Sequence, residues 1–293
     1  MKLQYLVILC ISLFFISCIQ TESKGKNYVS DIQVEANKLS CDGIVMSNYQ
    51  GVIDKSEFIY GESIVLNYEN MTGFTLKDSL AYPDMDIIVM NKKGDTVMAN
   101  SNLLKNDGRG FPEKDLKLRS ELIFAKPMMP NNEYNLNINI RDKHSDAYFT
   151  LRKNFSIINS PHVKTKSNGF TFDIQYLYSN TRKLSIVDNA IKLNENIFLI
   201  IENLEGYAVD DYGQANIQAS ASLIDANGIV INKNDDLFPN LVNAADLKDQ
   251  LYTSIQLTGT SLKNPITYVL TLKDNKTGNS MKTTFELTVE ELK

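Results

Sequence analysis

The chain has 293 residues, a formal net charge of -5 at pH 7, no tryptophan, two histidines and three cysteines. That acidic balance argues against nucleic acid as a partner, which calls for a basic stripe or patch. So few histidines and thiols also leave little material for acid–base, nucleophilic or zinc chemistry. In chain order, Lys2 supplies a positive start, Leu6 to Ile16 is almost wholly apolar, and Ser17-Cys18 closes the run. The apolar stretch has the length of a signal-peptide core and is short of the ~20 residues that a membrane-spanning helix needs. Ile19 to Ser30 is rich in Gln, Thr, Ser, Lys and Gly and reads as a flexible tether.

The leader resembles the lipobox of bacterial lipoproteins, in which a small residue precedes a cysteine that becomes lipidated and then N-terminal. Ser17 and Cys18 carry the resemblance, while Phe15 departs from the leucine usual at its position. It implies removal of residues 1–17, lipid on Cys18 and a membrane partner reached through that lipid, at about 0.8 kcal/mol per buried CH2. No aspartate follows Cys18, which in such lipoproteins implies the outer membrane, on its periplasmic or surface face. Loss of Lys2 with the leader brings the charge to -6. Cys10 lies in the leader, so Cys41 alone remains beside Cys18 and no intramolecular disulfide is available. Cys41 reads as a buried thiol.

Beyond the tether the chain is duplicated. Residues 61–74 match residues 194–207 with six identities in fourteen at an offset of 133. Further matches follow in order: Ile87 to Gly94 with Ala221 to Gly228, Asp115-Leu116-Lys117 with Asp246-Leu247-Lys248, and Tyr134 to Asp142 with Ile266 to Asp274. Alternation in Leu136-Asn137-Ile138-Asn139-Ile140 predicts a strand with one buried and one wet face, as it does for Tyr268, Leu270 and Leu272. Lys93-Gly94, Asn227-Gly228 and Lys276 to Asn279 predict hairpins. The fold class expected is all-β: two tandem antiparallel immunoglobulin-like or fibronectin-III-like β-sandwiches after an N-terminal signal peptide. The boundaries expected are 1–17 (signal peptide), 18–30 (lipidated Cys18 and tether), 31–159 (first sandwich) and 160–293 (second). Pro161 marks the junction, and so short a linker predicts touching modules in a semi-rigid rod. Leu237, Phe238, Leu241, Val242 and Leu247 are expected on a helical turn capping one sandwich end.

Chemistry-bearing patterns are scarce. No Gly-rich phosphate loop, nucleophile elbow or zinc spacing occurs, and His144 and His162 read as solvated surface residues. Acidic pairs fall at Asp84/Asp86, Asp210-Asp211 and Asp235-Asp236. They read as turn and loop acids; calcium is the cation such oxygens would take, with Asp210, Asp211, Asp235 and Asp236 the first candidates. The shared Glu69-Asn70-x-x-Gly73-Phe74 and Glu202-Asn203-x-x-Gly206-Tyr207 read as a structural turn, because both repeats carry them. Function is expected where the repeats differ, with Tyr82 and Tyr212 as exposed-aromatic candidates. The leading reading is a non-enzymatic interaction or assembly module with an envelope protein as partner. The alternative is a glycan-binding lipoprotein, weakened by the absence of tryptophan; an enzyme ranks last.

Overall fold

A computed structural model describes residues 29–104, 109–258 and 262–290. The leader, with Cys18, lies outside them. The first half holds β1 (Ile32–Asn37), β2 (Gly43–Asn48), β3 (Gly51–Val52), β4 (Glu57–Ile59), β5 (Ser63–Glu69), β6 (Leu80–Ala81), β7 (Pro83–Asn91), β8 (Thr96–Asn100), β9 (Phe111–Pro112), β10 (Leu118–Ile123), β11 (Asn132–Asp142) and β12 (Tyr148–Ile158). The second half holds β13 (Lys164–Asn168), β14 (Ile174–Ser179), β15 (Leu184–Ser185), β16 (Ala190–Lys192), β17 (Asn196–Glu202), β18 (Gln214–Ala215), β19 (Ile217–Ile224), β20 (Val230–Asn234), β21 (Val242–Asn243), β22 (Gln250–Gln256), β23 (Ile266–Asp274) and β24 (Ser280–Glu290), with one helix, α1 (Ala244–Asp249).

The two halves repeat one topology strand for strand. The large sheets run β1-β12-β11-β7-β8 and β13-β24-β23-β19-β20, and the small sheets run β10-β5-β2-β3 and β22-β17-β14-β15. Among the described residues no sheet joins strands from both sides of residues 159–163. Even the irregularity in register recurs, at Val89/Met90 in the β7–β8 hairpin and at Leu223/Ile224 in β19–β20. Gly94 and Gly228 sit at φ 89° and 79° in those hairpin turns, where a side chain would be strained. The tandem all-β sandwich is therefore as the residues predict.

Three details differ from the sequence reading. The sheets are not wholly antiparallel: β4 lies parallel on β12, and β16 on β24. In the first half the chain leaves the β12 edge after β1, crosses to the small sheet, reverses at β3 and returns to the same edge in the opposite sense. The outer face of β11 is not simply wet either. Asn137 is only 9% exposed, because its amide donates to Asn135 Oδ1 (2.7 Å) and accepts from Arg152 Nε (3.2 Å). The helical turn covers 244–249 and places only Leu247 of the expected five; Leu237 and Phe238 lie in the preceding loop, and Leu241 is exposed.

Each half closes over its own apolar core, Met46, Leu66, Ile138 and Leu151 in the first and Leu177, Leu199, Leu270 and Leu287 in the second. Buried acids stitch both. Glu62 accepts from Asn48 Nδ2 and Lys55 Nζ, both at 2.9 Å, and its repeat mate Glu195 accepts from Arg182 Nε (2.5 Å) and the Lys192 N–H (2.7 Å). At the entry to β1, Ser30 is clipped from two sides. Its N–H and hydroxyl donate to Asp54 Oδ1, both at 2.8 Å, and its carbonyl accepts from the buried Lys153 Nζ at 3.0 Å.

The halves also touch. The Tyr49 hydroxyl donates to Asp188 Oδ1 (2.9 Å) and accepts from the Val187 N–H (3.2 Å), while Gln50 Nε2 donates to Asp188 Oδ2 (2.7 Å). Tyr60 and Tyr176 pack at 5.3 Å between ring centroids, and Lys126 pairs with Glu202 at 2.5 Å. Gly61 has no room for a Cβ, which would come within 2.1 Å of Ser185 Oγ.

Candidate functional site

Tyr82 is half-buried and packs edge-on against His144, with centroids at 4.6 Å. It is a wedge inside the first half, not a free platform, while His144 and His162 are both exposed, as the sequence reading has them. Tyr212 is 88% exposed at the tip of a turn in which Asp210 Oδ1 accepts the N–H groups of Tyr212 (2.9 Å) and Gln214 (2.8 Å). Asp210 is thereby a turn-former, Asp211 is exposed beside it, Asp235 pairs with Lys233 at 2.6 Å, and the Asp236 N–H donates to Asn234 Oδ1. Asp84 and Asp86 share Arg141, at 3.2 and 2.8 Å. Among the described residues no three His, Cys, Asp or Glu side chains come together as a metal cluster. Cys41 is half-buried rather than buried; its thiol donates to the carbonyls of Gly43 and Glu69, and burial pushes its pKa up. No helix among the described residues is long and apolar enough to cross a membrane.

The duplication supplies an internal control: a position that keeps its residue in both halves serves the fold, and one that changes is free for something else. By that measure one side of the second sandwich stands apart, where the edge strands β20 and β22 of the two sheets face outward together. In the first half the turn into β8 reads Asp95-Thr96-Val97; in the second the same register reads Ile229-Val230-Ile231. Ile229, in the turn, is 60% exposed, and Val230 and Ile231, on the last strand of their sheet, are 53 and 39% exposed. One step on, Met98 packs against the first core, and its register mate is the exposed Asn232.

Without a methionine there, a cleft of about 340 Å³ opens between β20 and β22, lined by Asn232, Asn234, Leu237, Phe238, Tyr252 and Ser254 among others. Tyr252 forms its lip: it is 59% exposed and packs edge-on to Phe198 at 5.5 Å. Its mate in the first half is Arg119. Tyr252 and Tyr268 are the only ionisable side chains in the lining. Tyr268 is buried, which pushes its pKa up to about 12, and its hydroxyl donates to Thr253 Oγ1 at 2.8 Å. The cleft therefore offers apolar and aromatic walls, amides and hydroxyls, and no carboxylate, imidazole, ammonium or thiol. Sequence reading passed over Tyr252 and Asn232; comparing them with Arg119 and Met98 across the repeat is the signal that finds them.

No family model matches the chain, and no curated protein matches it. Among solved structures it is similar to pT26-6p, with a TM-score of 0.27 and 6% identity, covering 89% of this chain and 66% of that one. It is similar also to the C-terminal domain of the Streptococcus agalactiae antigen I/II polypeptide BspA, with a TM-score of 0.24 and 12% identity over 84% of this chain and 99% of that one. The C-terminal domain of the Streptococcus pyogenes antigen I/II-family protein AspA gives the same score and identity over 84% and 98%. This chain thus spans just under two thirds of the length of pT26-6p. Likeness at these scores carries no argument about function.

Proposed function

We propose that the protein is a lipid-anchored, non-catalytic binding module of the bacterial cell envelope, which docks a protein partner by strand addition at β20. The observation that carries this reading is the pair Val230-Ile231, exposed on a free sheet edge and preceded by the exposed turn residue Ile229. Natural sheets guard such edges with charge, proline or a covering loop, because unpaired N–H and C=O groups flanked by β-branched side chains invite another strand. The first half has Asp95 and Thr96 in place of Ile229 and Val230 and keeps an aliphatic only at Val97, so its fold does not need the first two. Strand addition takes its strength from main-chain hydrogen bonds and its selectivity from alternate side chains. The lipobox-like Ser17-Cys18 supports the anchor, and the Ile19 to Ser30 tether supports presentation away from a membrane.

The test is in-cell photocrosslinking of the full-length protein, with the reactive residue at position 229 and, as control, at position 95. A discrete protein adduct is expected from 229 and not from 95. It should disappear when Ile231→Lys puts a charge on the edge, and change when Cys18→Ala removes the anchor. An adduct pattern indifferent to Ile231→Lys would sink strand addition; one indifferent to Cys18→Ala would sink the anchored setting.

A further inference from the structure

The cleft between β20 and β22 supports a second binding function, different in kind from strand addition although Asn232 and Asn234 of its lining lie on β20. The argument rests on what changed there relative to the first half. Met98 is matched by Asn232, Arg119 by Tyr252, Glu121 by Ser254 and Ile123 by Gln256. Both charges are gone, and both aliphatic side chains have become amides. A site for an aliphatic side chain would have kept the aliphatics and made them smaller. A site for an anion or cation would have kept charge. The direction of change, toward neutral hydrogen-bonding groups beside aromatic rings, suits a ligand that is itself neutral, rich in hydroxyls and apolar on one face.

We infer that this cleft binds a neutral saccharide. At about 340 Å³ it lies at the lower end of the roughly 300–1,000 Å³ of ligand pockets, enough for one or two sugar rings. Phe238 and the lip residue Tyr252 offer apolar faces to the C–H side of a ring. Asn232 makes no hydrogen bond with a described residue, so both its donor and its acceptor are available to sugar hydroxyls. Asn234 adds a second amide to the lining, its Oδ1 already held by the Asp236 N–H. The lining contains no carboxylate, imidazole, ammonium or thiol, so the site holds its ligand without the groups that would cleave it.

The experiment is isothermal titration of the purified full-length protein with neutral gluco-, manno-, galacto- and xylo-oligosaccharides, and with a uronate oligosaccharide for comparison. At least one neutral series should bind one-to-one and outcompete the uronate. Asn232→Met, which restores the plug of the first half, and Tyr252→Arg, which restores its charge, should each weaken binding at least tenfold. Both introduce residues that the same fold already carries at those positions, and circular dichroism checks that each variant is folded. Tyr212→Ala, on a turn tip away from the lining, should leave affinity unchanged. Absence of binding by every neutral series, or binding that survives Asn232→Met and Tyr252→Arg, overturns the inference. Loss on Tyr212→Ala places the sugar elsewhere and overturns it equally. Strand addition is read by crosslinking from position 229, so failure here leaves the protein-docking reading standing.

Discussion

At the scale of single residues, two aspartates at one register show how the fold is pinned. Asp142 accepts from the Thr75 and His144 N–H groups and the Ser145 hydroxyl; Asp274 accepts from those of Ala208 and Lys276 and from the Thr277 N–H and hydroxyl. Burial pushes each carboxyl's pKa up, but these hydrogen bonds together outweigh it and hold both below the ordinary 3.8. A carboxylate with a lower pKa folded than unfolded stabilises fully above its unfolded value, and that stability drains away as pH falls through the folded one. Urea unfolding followed from pH about 6 to about 2 should therefore show stability falling below pH 3.8. Asp142→Asn and Asp274→Asn should each flatten that fall and cost about 1–3 kcal/mol at neutral pH, where the N–H groups lose their charged acceptor. A slope unchanged by both variants would put the acid sensitivity elsewhere.

At the scale of elements, the turn that follows β5 and β17 is the part of the chain most plainly written twice. Asn70 and Asn203 take positive φ (48° and 55°), and Gly73 and Gly206 both sit at φ 96°. A Cβ on Gly73 would come within 2.1 Å of the Lys38 carbonyl oxygen, and one on Gly206 within 1.9 Å of that of Gly169. Gly73→Ala or Gly206→Ala should lower stability by more than about 1 kcal/mol in thermal or urea unfolding, since the strain has no local relief. A loss of a few tenths would mean the backbone shifts freely. These turns, the hairpin glycines and the alternating runs were legible in sequence because local chemistry dictates them. The parallel return of β4 was not, since three residues, Glu57-Phe58-Ile59, carry no mark of direction. The aromatic lip was missed for a related reason: Tyr252 alternates with buried Leu251 and Thr253 like any strand residue. Only the opposite sheet, ending in Asn232 instead of a methionine, makes it the rim of a cleft. Tyr82 and Tyr212 attracted notice by standing in loops, and the fold wedges one and leaves the other alone at a turn tip.

At the scale of the whole molecule, the junction uses residues that the repeat did not keep equivalent in role. Glu69 is exposed, whereas its mate Glu202 is buried between the Tyr176 hydroxyl and Lys126 of the other half. Arg182 serves both sides: it neutralises buried Glu195 within the second half and stacks its guanidinium 5.5 Å from the Tyr49 ring of the first. Shared partners couple unfolding, so the full chain should melt in one calorimetric transition, and Tyr49→Ala should separate it into two. Two transitions in the unmodified protein would mean the junction is too weak to couple them. The clip at Ser30 has a mechanical meaning as well. β1 is an edge strand, and a pull on its leading end, where Ile32 faces Lys153, would unzip it from β12 one pair at a time. Asp54 and Lys153 grip the chain just ahead of that first pair, so a pull applied ahead of Ser30 would meet a knot of hydrogen bonds before it reached the ladder.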